Sequence, residues 1–193
     1  AHIVREKYKG YYSVNGHSLS RENERNNLVN FAMLKTIRLT EPVVSGQQFG
    51  KILGEMVMQL SGGSVIMQRV GDFRMGARSK AETFNNDLYD FEPTLKNAVA
   101  GDLSLCMPAK ILRDIWKSLK MLDTIIPGVL HPSTIIYYPE IKTYSNKPQF
   151  IDAHFCVKEG YYIIGDGAGT SRGITAAWAS GIRAAQGILK EKV

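Results

Sequence analysis

Glycines at 165, 167, 169 and 173, with Asp166 and Arg172 among them, form the stretch of this chain best suited to chemistry. It reads Tyr161-Tyr162-Ile163-Ile164-Gly165-Asp166-Gly167-Ala168-Gly169-Thr170-Ser171-Arg172-Gly173-Ile174 and continues through Trp178 and Ser180 to Gly181. The apolar start predicts a buried strand, the glycines a turn, and the small residues a helix. A helix start offers unpaired N–H groups and the positive end of the dipole, and glycines ahead of it let a ligand approach without meeting a Cβ. A phosphate or an electron-rich ring suits such a place. Asp166, where the strand stops, would accept hydrogen bonds from a sugar-alcohol hydroxyl, while Arg172 would offer a charged fork to an anionic or carbonyl oxygen. The same residues also suit an ordinary βα turn whose glycines serve tight packing.

The elements that must hold this turn follow from periodicity. Ile174, Ala177, Trp178, Gly181, Ile182, Ala185, Ile188 and Leu189 recur at offsets of three and four, which predicts an inward stripe on the last helix. Residues 47–60 predict an amphipathic helix with Phe49, Ile52, Leu53, Met56, Val57 and Leu60 on one face, Ser45 as its cap and Gly62-Gly63 as its stop. A second helix opens at Pro108, carries Ile111, Leu112, Ile115, Trp116, Leu119 and Leu122, and ends at Pro127-Gly128. Strands are expected over 30–39, 65–69, 134–144, 150–157 and 161–165, with a turn at Gly71-Asp72 and another at Glu159-Gly160. The fold class is α+β, a mixed sheet with packed helices.

Other chemistries find less support. The glycine spacing is G-x-G-x-G, without the third glycine of the dinucleotide fingerprint, and neither G-x-S-x-G nor a P-loop occurs. His17 follows Asn15-Gly16 and reads as a surface turn residue, and His131 before Pro132 reads alike. His154 and Cys156 alternate on one strand face as a redox or metal pair, yet four histidines and two cysteines show no zinc spacing, so no metal is expected. Gln68, Arg69, Asp72, Arg78 and Ser79 make a second polar cluster, which is either a solvent-facing salt-bridge cluster or a place where Arg69 or Arg78 grips a substrate carboxylate.

The strand, Gly-Asp turn and helix resemble the C-terminal flavin-contacting motif of two-dinucleotide-fold flavoproteins, and within them the uncharacterised FAD-dependent dehydrogenases. Segments 10–18, 68–73 and 140–148 look like further family segments in the expected order. The resemblance implies FAD as cofactor, with Gly165, Asp166, Gly167, Gly169, Arg172, Gly173 and Ile174 at its ribityl chain, pyrophosphate and pyrimidine edge, and Arg69 or Arg78 near the substrate mouth. It implies a lead-in over 1–30, an inserted substrate or cap-type domain over 31–155, and a returning strand and helix of the flavin-binding fold over 156–193. The family's N-terminal FAD-binding fingerprint does not occur in these 193 residues, and the chain opens Ala1-His2-Ile3 without methionine. Both features lead us to expect a fragment, inactive alone, whose partner is the FAD-binding portion of the same protein. An unidentified small molecule would be the substrate.

Composition bounds the alternatives. Apolar residues at 44% and charged residues at 22% describe a cored protein, not a disordered one. Two distant cysteines, with no secretory segment and no long apolar run, favour a reducing cytoplasm and argue against a membrane partner. The net charge of +6, from 24 basic and 18 acidic residues, is dispersed along the chain. That makes nucleic acid a poor expectation, although a non-enzymatic module binding RNA or a protein partner is the rival function. An exposed strand edge would also permit oligomers.

Overall fold

The computed structural model describes residues 1–19, 21, 26–42, 45–85, 92–142 and 147–190. They hold small sheets and five α-helices, a mixed α and β architecture, divided into two compact units, Ala1–Ile141 and Lys142–Val193. The expected joins near residues 30 and 155 fall inside these units.

The first unit opens with an antiparallel hairpin, β1 (His2–Tyr8) and β2 (Tyr11–His17), closed by residues 9–10 with Gly10 at φ +96°. That φ is open to glycine and costly for residues with a Cβ. Asn15 and Gly16 lie inside β2 and not in the expected turn, because both pair with β1. Helix α1 (Gly46–Leu60) starts where predicted: the Ser45 hydroxyl accepts from the Gln48 amide at 3.2 Å. It stops at Gly62 (φ +65°) and Gly63, whose amide closes on the Met58 carbonyl at 2.8 Å.

At the centre lies β3 (Ile66–Arg69), parallel to the short β4 (Val99–Ala100) and antiparallel to β5 (Ile135–Tyr138). All four β3 residues are buried, so both faces of this mixed sheet are covered. Met67 joins Val14, Val65, Phe84, Leu95 and Ala98 on one side, while Ile66 joins Val57, Leu103 and Cys106 on the other. Burial, with Asp102 adding repulsion, pushes the Cys106 thiol up to about 11, so it stays protonated and unreactive.

Three further helices complete the unit. A short helix, α2 (Val70–Arg74), replaces the expected Gly71-Asp72 turn, and α3 (Ala81–Phe84) follows. Helix α4 (Ala109–Ile125) has Pro108 as its N-cap and rests Trp116 on Phe73, with ring centroids 5.2 Å apart.

Three expected strands change. Residues 30–39 are irregular, with Phe31 and Leu34 exposed. Their backbone pairs with no strand among the described residues, and the Asn30 amide tethers the segment by donating to the His2 and His17 carbonyls. The 134–144 strand ends at Tyr138, ahead of Pro139, which has no N–H for a ladder; residues 143–146 lie outside the described ones. The 150–157 strand gives way to a turn in which the Asp152 carboxylate accepts from the His154 and Cys156 amides at 2.9 and 3.0 Å. Phe155 there takes φ +67°, which no pleated strand allows.

The second unit is a two-stranded antiparallel ribbon, β6 (Cys156–Lys158) and β7 (Tyr161–Tyr162), joined through Gly160 at φ +75°, and the long helix α5 (Ile174–Lys190). The expected inward stripe of α5 does not hold. Trp178 is 72% exposed and Ile182 and Leu189 are exposed too, while Ser180, Ala184 and Gly187 are buried. A Cβ at Gly187 would stand 2.5 Å from the His154 Cβ, so this contact excludes any larger residue. The helix packs by its smallest residues.

Candidate functional site

The glycine-rich turn lies wholly in the second unit. Its entry strand is not buried as expected: β7 ends at Tyr162, and Ile163 and Ile164 stand 42% and 43% exposed. Gly165 follows at φ +81°, a short 3-10 turn spans Asp166–Ala168, and Gly169 at φ +66° turns the chain back. Gly173, also at φ +81°, delivers it into α5. Three of the four glycines thus hold conformations that residues with a Cβ rarely adopt. Two serines fix the turn. The buried Ser180 hydroxyl accepts from the Gly165 amide at 3.0 Å and donates to the Ala177 carbonyl at 2.6 Å, tying turn to helix. Ser171 donates to Asp166 Oδ1 at 2.6 Å. The sequence signal for Ser180 is a serine in an alanine-rich run, and for Ser171 a serine in the glycine-rich turn.

Asp166 is engaged within the turn. Its Oδ2 accepts from the Gly173 amide at 3.2 Å, so the carboxylate sits at the positive end of α5 and bridges Ser171 to the helix start. The Ser171 hydroxyl first, then the Gly173 amide and the Arg172 charge, hold this carboxyl below its ordinary range. Each carboxylate oxygen keeps a further lone pair for an outside donor. Arg172 is exposed and donates to the Ser171 carbonyl at 2.7 Å. Ile174, Thr175 and Ala176 are exposed, and a helix leaves the amides of its first turn without intrahelical acceptors. A Cβ at Gly165, Gly167 or Gly173 would meet nothing within 4 Å. Gly167 and Gly173 present exposed backbone at the turn.

A pH dependence follows from the Asp166 bridge. A carboxylate with a depressed folded pKa lends its stabilisation above its unfolded value and loses it as pH falls through the folded one. Protection of the Gly173 amide against hydrogen exchange should therefore drop on acidification below the ordinary carboxylate range. The same amide in Asp166→Asn should be flat across that window; parallel curves for both proteins would remove Asp166 from this role.

The second polar cluster lies in the first unit. Arg69 is buried, with a guanidinium nitrogen donating to the Ser133 carbonyl and its charge over the Phe84 ring at 4.9 Å. This sets Arg69 in the packing of the unit. Gln68 donates to the Ala77 carbonyl at 2.8 Å and accepts from the Leu103 amide at 2.9 Å. The Ser79 hydroxyl accepts from the Arg69 amide at 2.9 Å and donates to Asp72 at 2.6 Å. The cluster is therefore mostly an interior clamp, and only Arg78 among its cations faces outward.

His17 and His154 stand apart from these groups, and His131 adjoins them through Ser133. The His17 ring lies 5.7 Å from that of His2, His131 meets the Ser133 hydroxyl at 2.6 Å, and His154 meets the Arg183 carbonyl at 2.9 Å. Cys156 donates to the Lys158 carbonyl at 3.1 Å, so His154 and Cys156, weighed as a pair, are each engaged elsewhere. Among the described residues no group of three or more His, Cys, Asp or Glu could hold a metal ion, and no helix is long and apolar enough to cross a membrane. No family model matches the sequence, and no curated protein matches it either.

Proposed function

We propose that this chain supplies the substrate-side, C-terminal part of an FAD-dependent oxidoreductase that transfers a hydride between an unidentified substrate and flavin. The observation that carries the reading is the open turn: at Gly165, Gly167 and Gly173 no residue beyond the flanking two comes within 4 Å of where a side chain would begin, ahead of an exposed helix start. A flat ring or a pyrophosphate needs such an approach. Gly167 strengthens the point, because neither a positive φ nor a crowded neighbour requires glycine there.

In this reading FAD supplies the electron-pair chemistry when bound. The chain's own residues hold and orient. The first-turn amides from Ile174 onward would direct partial positive charge at the ring's pyrimidine edge, where charge develops on reduction. Asp166 holds the helix start through the Gly173 amide and would accept from a ribityl hydroxyl with its remaining lone pairs. Arg172 adds a cation beside them, and Gly165 and Gly169 shape the turn. The remainder of the cofactor falls to an FAD-binding portion of the same protein, consistent with the exposed apolar row Trp178, Ile182 and Leu189 on α5.

The test is to express the complete gene product that carries this chain, purify it, and record its visible spectrum and the nucleotide released on denaturation. Flavin bands with FAD released in stoichiometric amount are expected, and Gly167→Val should abolish the colour while the protein still folds. A colourless full product that releases no FAD would end this reading. The exposed α5 row also favours a second reading, a module that assembles with a protein partner without chemistry of its own.

A further inference from the structure

Beside α3, Arg78, Ser79, Lys80, Ala81, Glu82 and Ala100 line an open depression of about 450 Å³. We propose that it binds a small carboxylate bearing a hydroxyl or amino group on the adjacent carbon. The site belongs to the first unit, and its argument is independent of the flavin reading.

The segment alternates: Arg78 exposed, Ser79 buried, Lys80 exposed. With Ser79 turned inward, the two cations that flank it both reach the same depression. Their backbone is fixed in advance. The Ser79 hydroxyl is held between the Arg69 amide and Asp72, the Ser79 amide donates to the Gly101 carbonyl at 3.0 Å, and the Lys80 amide donates to the Thr83 hydroxyl at 3.1 Å. With the backbone already ordered, only the exposed side chains lose freedom on binding. Neither Arg78 nor Lys80 takes part in the ion pairs Lys35–Asp114, Lys51–Glu55 and Lys96–Glu92.

The two cations differ in what they offer. A guanidinium presents a planar fork that fits a carboxylate with two parallel hydrogen bonds, and an ammonium adds a point charge to the same oxygens. Glu82 on the same rim selects for the rest of the ligand. Its carboxylate repels a second anionic group and accepts from a hydroxyl or ammonium. A dicarboxylate or a phosphate is therefore disfavoured, and a hydroxy acid or amino acid of a few carbons is favoured. Ala81 and Ala100 keep the floor small.

The experiment is a two-dimensional amide NMR titration of the whole chain at low salt with L-lactate, glycine, succinate and inorganic phosphate as separate probes. Lactate and glycine should shift the amides of residues 78–82 and 100 saturably, and succinate and phosphate should bind more weakly. Arg78→Ala should weaken lactate about tenfold, the loss of a charge-assisted pair, with Arg78→Lys falling between. Glu82→Gln should bring succinate level with lactate or ahead of it. The proposal is overturned by the absence of saturable shifts at these amides, by Arg78→Ala binding like the unaltered chain, by a response to phosphate alone, or by an order of probes that Glu82→Gln leaves unchanged.

Discussion

Gly54→Val should destabilise the first unit by about 3 kcal/mol, near the top of the usual cost of overpacking a core. A Cβ at Gly54 would lie 2.4 Å from Tyr11 Cγ, 2.5 Å from Cδ2 and 2.8 Å from Cβ, all at the root of the ring and not at the end of a flexible chain. Tyr11 cannot swing clear. It is buried, and its ring lies stacked on Tyr8 with centroids 5.2 Å apart and planes 3° from parallel. The helix must lift instead, and with it go Leu53 and Val57, the apolar residues α1 buries. Gly46, at the exposed start of the same helix with nothing within 4 Å, is the control. Urea unfolding followed by circular dichroism should show a lower midpoint for Gly54→Val at unchanged slope, and little change for Gly46→Val. Equal midpoints for the two variants would mean that α1 is not seated on Tyr11 as described.

This contact also explains where the sequence misleads. The period, cap and stop of α1 are local signals, so its limits are readable within a residue. Its inward face is not, because hydrophobic size points to Ile52, Met56 and Leu60, and these stand 48%, 38% and 49% exposed. The close seats on Tyr11 and Ile141 select Gly54 and Gly50 alongside Leu53 and Val57, and only the partners' positions reveal that. Helix α5 repeats the lesson: Gly187 and Ala184 face inward and Trp178 outward.

The central sheet is less legible because its strands are short and its contacts are remote in sequence. Val14, for example, donates to the Pro139 carbonyl at 2.8 Å, a pairing across more than a hundred residues. At the glycine-rich turn, residue type predicts the backbone well, since Gly165, Gly169 and Gly173 all take positive φ. It predicts side-chain direction poorly: Asp166 folds back onto Ser171 and Gly173, a choice set by a serine five residues on.

Gln68→Leu should cost about 2 kcal/mol, because it strands the buried Leu103 amide at roughly 1–3 kcal/mol and takes away the partner of the Ala77 carbonyl. Gln68 stands at a point where the sheet has no more strand to offer. Its side chain replaces a ladder by holding the Ala77 carbonyl and the Leu103 amide from opposite sides, at 2.8 and 2.9 Å. Leucine fills the same volume and answers neither group, and no water reaches a residue that is 1% exposed. The polar side chain is thus kept for two loops and not for a ligand, which separates this position from the outward-facing Arg78. Hydrogen exchange distinguishes the two accounts. In Gln68→Leu the Leu103 amide should lose protection well before the α1 amides do, and the urea midpoint should fall. A midpoint within error of the unaltered chain, with Leu103 still protected, would show that the loops hold themselves and that Gln68 is free for another role.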